Sequence, residues 1–369
     1  MPAKIPVHPF YERLSLVLIG LLSLGYIIIQ GKEVLDPLIF GFLFAILLYP
    51  SASFLERKLR IPRAIACLVA ILLLLAFIAG IVYLVGSQIS NLASDWPQLK
   101  SQVSQSLDNL KDWIQSAFHI TAKKQMNYVN STTKKIMESG TEVLGTTFGA
   151  ISSLVLFYLF ILIFTFFILL YRTLLIHFII WVFTDNYEAV VRDIVENIQS
   201  ILRQYILGLL LEMFVVACIA CTLFWMIGVK YAVLLGIIVA LFNLIPYLGI
   251  FTALFLSTLI TFATGGVNSA AFVAASVLGI HIVDSNVLLP TIVGSKVKLN
   301  ALITFLGIIL GEMIWGLSGM FLSIPIIAIF KIIFDRVESL KPWGYLLGSG
   351  QDEKKSTMKK MKPAAADKT

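Results

Sequence analysis

Two stretches, residues 240–290 and 299–333, are apolar enough to lie in lipid, yet each is interrupted where a membrane helix would run straight. The first opens ALFNLIPYLGIFTALFLSTLITF, with Asn243, Pro246 and Gly249 inside it. Pro246 removes a backbone donor and disfavours a helical Ile245, while Gly249 permits non-helical dihedrals. The N–H and C=O groups freed by such a break are tolerated at membrane depth only against protein or a wet cavity. HIVDSNVLLP follows and sets His281, Asp284 and Asn286 in another apolar run. Intramembrane ionisable residues are costly and mark solute or proton paths, and broken helices beside buried polar groups are how secondary transporters build a midplane site.

Of 369 residues, 59% are hydrophobic and 13% charged, with a mean hydropathy of +0.92. Soluble domains carry about 25% charged residues, so the deficit predicts an all-α polytopic membrane protein. The net charge of +7 does not point to nucleic acid, because the lysines cluster in loops and in the tail. Lys354, Lys355, Lys359, Lys360 and Lys362 form a solvated cytoplasmic tail able to touch anionic membrane lipid. Cys67, Cys218 and Cys221 all fall in apolar runs. The CxxC spacing of the last two lacks a βαβ context or further ligands, so the three read as small apolar residues. The run 14–29 lacks a small-residue cleavage site and is expected to stay as a signal anchor.

Taken in order, the spans are expected at 13–30, 35–50, 64–86, 146–171, 205–228, 231–263, 267–290 and 299–334, eight in all. The loop SFLERKLRIPR, with Arg57, Lys58, Arg60 and Arg63, is assigned to the cytoplasm by the positive-inside rule, which puts both termini there. The two longest runs can each combine a crossing with a re-entrant segment. Residues 294–298, GSKVK, fall on the outer side by this count despite Lys296 and Lys298. Between spans three and four, Leu92, Trp96, Leu99, Val103, Leu107, Leu110, Ile114 and Ala117 recur in steps of three and four, and a second stripe runs from Met126 to Val143. They predict an extramembrane helical hairpin, packed on itself or on a second subunit. Residues 185–204 form a further amphipathic helix at the interface. The expected units are 1–86, a three-span membrane unit; 87–147, the helical insertion; 148–336, the membrane transport unit; and 337–369, the basic tail.

No GxSxG, HExxH, Walker loop or GxGxxG is present, and four histidines are scattered, so neither an enzyme nor a cofactor or metal site is expected. The polar candidates for a solute or ion pathway are Asn243, Asp284, Asn286, Glu212 and Glu312, with Pro246 and Gly249 at the break. Glu212 lies inside the fifth span and Glu312 inside the last run, each costly in lipid unless protonated, paired or facing water. Arg203 is a candidate partner, or a residue that snorkels. Asn243 either satisfies carbonyls freed by the break or meets a solute. Gly307 and Gly311, spaced GxxxG, and Gly316, Gly319 and Pro325 read as packing and hinge positions.

NLIPYLG at 243–249, DSNVLLPTIVG at 284–294 and WGLSGMFLSIPIIA at 315–328 resemble the AI-2E, or autoinducer-2 exporter, family over nearly the whole chain. The resemblance carries over Pro246, Gly249, Asp284, Pro290, Gly294, Gly316, Gly319 and Pro325 as matching positions. It implies a bacterial or archaeal inner-membrane carrier, homo-oligomeric with a pentamer as candidate, that exports a small polar solute such as autoinducer-2 or exchanges cations. Two departures stand out: Leu209 follows Gly208 where a polar residue is common, with an acid at Glu212, and Glu312 replaces a small residue after Gly311. A channel-like pore and a non-transporting oligomeric scaffold are the competing readings.

Overall fold

The computed structural model describes residues 9–95, 101, 147–183, 187–245, 248–294 and 299–348. Nearly all of the insertion, Pro246, Lys296, Lys298 and the basic tail lie outside the described residues. Every regular element among the described residues is helical, apart from an isolated bridge between Leu299 and Gly348. This is the all-α polytopic membrane architecture that the composition predicts.

The N-terminal half packs α1 (Phe10–Gln30), α2 (Lys32–Lys58), α3 (Arg63–Ser94) and α4 (Thr147–Leu170). α2 and α4 approach closely because Gly41 lacks a side chain: a Cβ there would sit 2.7 Å from that of Phe164. Thr165 hides its hydroxyl in the same contact, donating to the Ile161 carbonyl at 2.7 Å. Ala45, Leu48 and Ala52 of α2, Cys67, Ala70 and Ile71 of α3 and Leu169 of α4 form one buried cluster. At its end Glu56 accepts from Arg63 at 3.2 Å and from Arg172, whose guanidinium lies over Tyr49. α5 (Arg172–Val182) then leaves α4 at 71°. Leu174, Phe178 and Trp181 are exposed on it, as suits a helix lying along a membrane interface. None of the elements expected from the sequence covers it.

The C-terminal half begins with α6 (Glu188–Ile227), which fuses the expected interfacial helix and fifth span into one rod. Its 40 residues reach roughly 60 Å, about twice the hydrocarbon thickness. It stops at Gly228, whose left-handed φ of 80° ends the helix. α7 (Ala232–Asn243) folds back antiparallel, with Gly236 so close to α6 that a Cβ would meet the Cys221 sulfur at 2.4 Å. α8 (Leu248–Val283) is broken at Gly266 (φ 78°, ψ −175°), and a π-helix, Asp284–Gly294, continues it. Ala253 before the break and Val273, Val277 and Ile280 after it enter one cluster with Val216, Phe224, Leu234, Leu235 and Val239.

α9 (Ala301–Trp315) and α10 (Leu317–Arg336) form an antiparallel hairpin turning at Gly316 (φ 69°). A Cβ on Gly311 would lie 2.3 Å from the Gly319 carbonyl oxygen, and one on Gly319 2.0 Å from that of Gly311. Pro325 is buried within α10. α11 (Lys341–Leu347) packs on α10, and its Leu347 carbonyl accepts from Asn300, which caps α9. By length and composition five described helices can cross a membrane, six if the bent α4–α5 pair is one span. The expected eight include 13–30, which is one of the shorter apolar helices, and separate crossings at 231–263 and 267–290, which α8 runs through; 231–263 and 299–334 each hold a short apolar helix, a turn and a second helix.

Two outcomes follow. Gly319→Ala forces the hairpin apart and lowers stability by about 1–3 kcal/mol, read as a lower thermal midpoint in detergent. Gly80→Ala, where a Cβ meets nothing, does not. Asp95, beyond α3, accepts from Lys230 at 2.6 Å and from Tyr231. Lys230, then Tyr231, hold its carboxyl below the usual range, and Asp95 holds the Lys230 ammonium above its own. The tie is therefore whole at neutral pH. It is lost as pH falls through the depressed carboxyl value or rises through the raised ammonium value. Amide exchange around residues 230–235 should quicken at acid pH in the wild type, after correction for intrinsic rate, and Asp95→Asn should abolish that step.

Candidate functional site

Two interruptions of helical geometry and one unbroken helix converge on one point. Asn243 is the last residue of α7, Asp284 the first of the π-helix, and Glu212 the acid in the buried stripe of α6 that runs Leu202, Tyr205, Leu209, Glu212, Val216, Ala220, Phe224. The Asn243 carboxamide nitrogen donates to Glu212 Oε1 and to Asp284 Oδ2, both at 3.1 Å. Its two hydrogens are thereby shared between two acids, rather than spent on carbonyls freed by the break. Those carbonyls are served by the backbone: Ile245 donates to Phe242 at 2.9 Å and Gly249 to Ile245 at 3.0 Å. Gly249 is obligatory in this turn, since a Cβ would fall 1.7 Å from the Phe242 oxygen.

Both acids are buried, Glu212 at 3% and Asp284 at 5% exposure, and the two carboxyls face one another. Glu212 Oε2 and Asp284 Oδ1 are buried and have no hydrogen-bond partner among the described residues. Two unit charges ~5 Å apart repel by about 3 kcal/mol even at an effective dielectric constant of ~20. Such a pair calls for one positive charge between its members, a proton or a cation. The donors are hard oxygens, suited to a proton or an alkali-type ion rather than to a thiolate-seeking metal.

Apolar residues close the site on both sides. One turn along α6 from Glu212, Leu209 belongs to a cluster with Leu43, Ile46, Trp315 and Leu322, which Leu244 and Ile292 also join. In the other direction Val216, with Ala240 and Ile280, belongs to the α6–α7–α8 cluster. The acids sit at the seam between two plugs.

Other expected residues lie elsewhere. Asn286 is exposed and donates to the Ile282 carbonyl of its own helix at 2.8 Å. Glu312 is exposed on α9, and Arg203 on α6, where Glu212 bonds Asn243 instead. His281 stands one turn before Asp284, with Nε2 3.4 Å from the Ser285 hydroxyl. Pro290 is exposed within the π-helix and Gly294 ends it. Gly307 packs against Ile327. One buried acid is not among the expected residues: Asp36, 3% exposed, whose Oδ2 lies 2.5 Å from the Ser318 hydroxyl. Its only local signal is an acid before Pro37 in an apolar run.

Residues 15–339 match the sequence profile of the AI-2E family transporters. The chain belongs to that family. It is 26% identical to YueF of Bacillus subtilis (strain 168) over 314 residues, 81% of this chain and 84% of that protein. It is 21% identical to YhhT of Escherichia coli (strain K12) over 353 residues, 95% and 97% of the two chains. The AI-2 transport protein TqsA of the same strain is 24% identical over 340 residues, 89% and 94%. As an AI-2E member this is an integral membrane transport protein.

Asn243→Ala should lower stability by about 2–4 kcal/mol, because it strips the common donor from two buried acids. Adding Glu212→Gln should recover part of the loss, since the new amide faces Asp284. Thermal unfolding of both variants in detergent reads the two effects.

Proposed function

We propose that the chain is a secondary transporter of the cytoplasmic membrane that exports a small polar solute, or exchanges cations, by alternating access, with Glu212, Asn243 and Asp284 as its coupling site. The observation that carries this is the buried acid pair sharing one amide, with two further carboxylate oxygens unpartnered. A scaffold has no use for such a pair. An open pore would hydrate it, whereas here apolar plugs close it on either side. TqsA is named for AI-2 transport, and a small polar solute is the substrate class favoured here, moved against a proton or cation.

Orientation belongs to the same proposal. Arg57, Arg60, Arg63 and Arg172 gather at one end of α2–α5, which the positive-inside rule makes cytoplasmic. α1 then starts, and α2 ends, on that side. α6 begins there too, and Arg336 at the end of α10 pairs with its Asp193. The α9–α10 hairpin thus enters and leaves from the cytoplasm, and the C-terminus stays there. Leu299 and Asn300 lie against α11 at that same end. Homo-oligomer formation is part of this reading as well, since α1 is exposed on almost every side.

Liposomes holding the purified protein, given an imposed pH or sodium gradient, test the assignment. Gradient-driven flux should fall at least about tenfold, the effect of ~1.4 kcal/mol, in Glu212→Gln and in Asp284→Asn. Wild-type flux in both variants would remove the acids from the pathway, and no gradient-driven flux from the wild type would favour the scaffold.

A further inference from the structure

The hairpin tip docks on the N-terminal helices through two polar contacts. The Trp315 indole N–H donates to the Ile28 carbonyl of α1 at 3.1 Å, and the Ser318 hydroxyl meets Asp36 Oδ2 of α2 at 2.5 Å. Ser318 Oγ is also 3.0 Å from the Trp315 carbonyl. That carbonyl is one of the last four of α9 and has no helical partner, so the hydroxyl is what satisfies it. A serine hydroxyl owns one hydrogen. If that hydrogen serves Trp315, the hydrogen in the contact with Asp36 must come from Asp36.

We infer that Asp36 is a proton-binding site, separate from the Glu212–Asp284 pair, and that its proton holds the α9–α10 tip against α1 and α2. Loaded, Asp36 donates to Ser318, Ser318 donates to Trp315, and the buried acid is neutral. When the proton leaves to water, Ser318 must turn its hydrogen to the carboxylate. The Trp315 carbonyl is then bare, and a charge with one unpartnered oxygen, Oδ1, is left buried. Both costs are relieved if the tip lifts and admits water. The charged neighbour is Lys32, one turn earlier on α2; Glu33 on α2 and Glu312 on α9 are exposed, as is Tyr26 on α1. From α9 and α10 the contacts come from Trp315 and Ser318, which do not titrate.

The inference does not rest on the transport reading, and its test needs no solute. Infrared spectra of the protein in lipid nanodiscs across a pH series should contain a neutral-carboxyl carbonyl band that is absent in Asp36→Asn and fades in the wild type as pH rises. Hydrogen exchange at residues 315–320, corrected for intrinsic rate, should quicken at least about tenfold over the same pH change. In Asp36→Asn an amide supplies the hydrogen permanently, so the tip should stay protected at every pH. Ser318→Ala should leave it unprotected at every pH. A wild-type spectrum with no band lost in Asp36→Asn would overturn the inference. So would tip exchange that follows pH identically in both proteins, or a Ser318→Ala tip as protected as the wild type.

Discussion

Two carboxylates cannot share an apolar interior unless something divides its hydrogens between them, and the position of Asn243 follows from that constraint. Its amide nitrogen must reach α6 on one side and the start of the π-helix on the other. A residue in the middle of a long helix presents its side chain to one neighbouring face. A residue at the end of a short helix, where the chain is about to turn, can stand between two. The 12 residues of α7 extend roughly 18 Å, well short of a bilayer core. The shortness that disqualifies α7 as a span is what brings Asn243 to the acids. The change from α- to π-helical winding at Asp284 adjoins the same point, and π-helical turns are frequent at functional sites.

The turns are possible because their backbone groups remain satisfied. Gly228, Gly266 and Gly316 carry positive φ and end or break helices that apolar sequence alone would continue. At the Asn243–Gly249 turn, short-range backbone bonds replace the lost helical ones, and the chain passes so near itself that only glycine fits. The cost expected of open N–H and C=O groups in lipid is therefore largely avoided. Among the described residues the unsatisfied polarity is concentrated in side chains instead: Asp36, Glu212, Asp284, and Ser257, Thr258, Thr261 and His281 on α8. Unlike a backbone group, a carboxylate can answer by binding a proton.

The apolar runs and their interruptions are visible in the sequence because hydropathy and the conformational limits of Pro and Gly are local properties. Glu212 and Asp284 stand out for the same reason. Their meeting does not, since Asn243 lies 31 residues from one and 41 from the other and no period connects them. The rule that an acid in an apolar run marks a site also selected Glu312, which is exposed, and missed Asp36, which is buried. Burial depends on which face of a helix meets a neighbour, and in a chain apolar all round that face has no signature. A helix–turn–helix of 36 residues likewise reads as one long crossing until Gly316 is seen to reverse the chain.

The hairpin tip and the acid pair are not mechanically independent. Trp315 and Leu322 of the hairpin pack in the same cluster as Leu209, one turn from Glu212, and as Leu244 and Ile292, which follow Asn243 and Asp284. A close-packed cluster does not deform gradually; its side chains hold one arrangement or exchange it for another. If the tip leaves Asp36, Trp315 withdraws from the plug that closes one side of the acids, while the Val216–Ala240–Ile280 side keeps its contacts. Opening one side while the other stays shut is the minimum that alternating access requires. Shared packing is a physical route for that coupling. One tryptophan both anchors the hairpin to the Ile28 carbonyl and packs in the cluster that holds Leu209, one turn from Glu212.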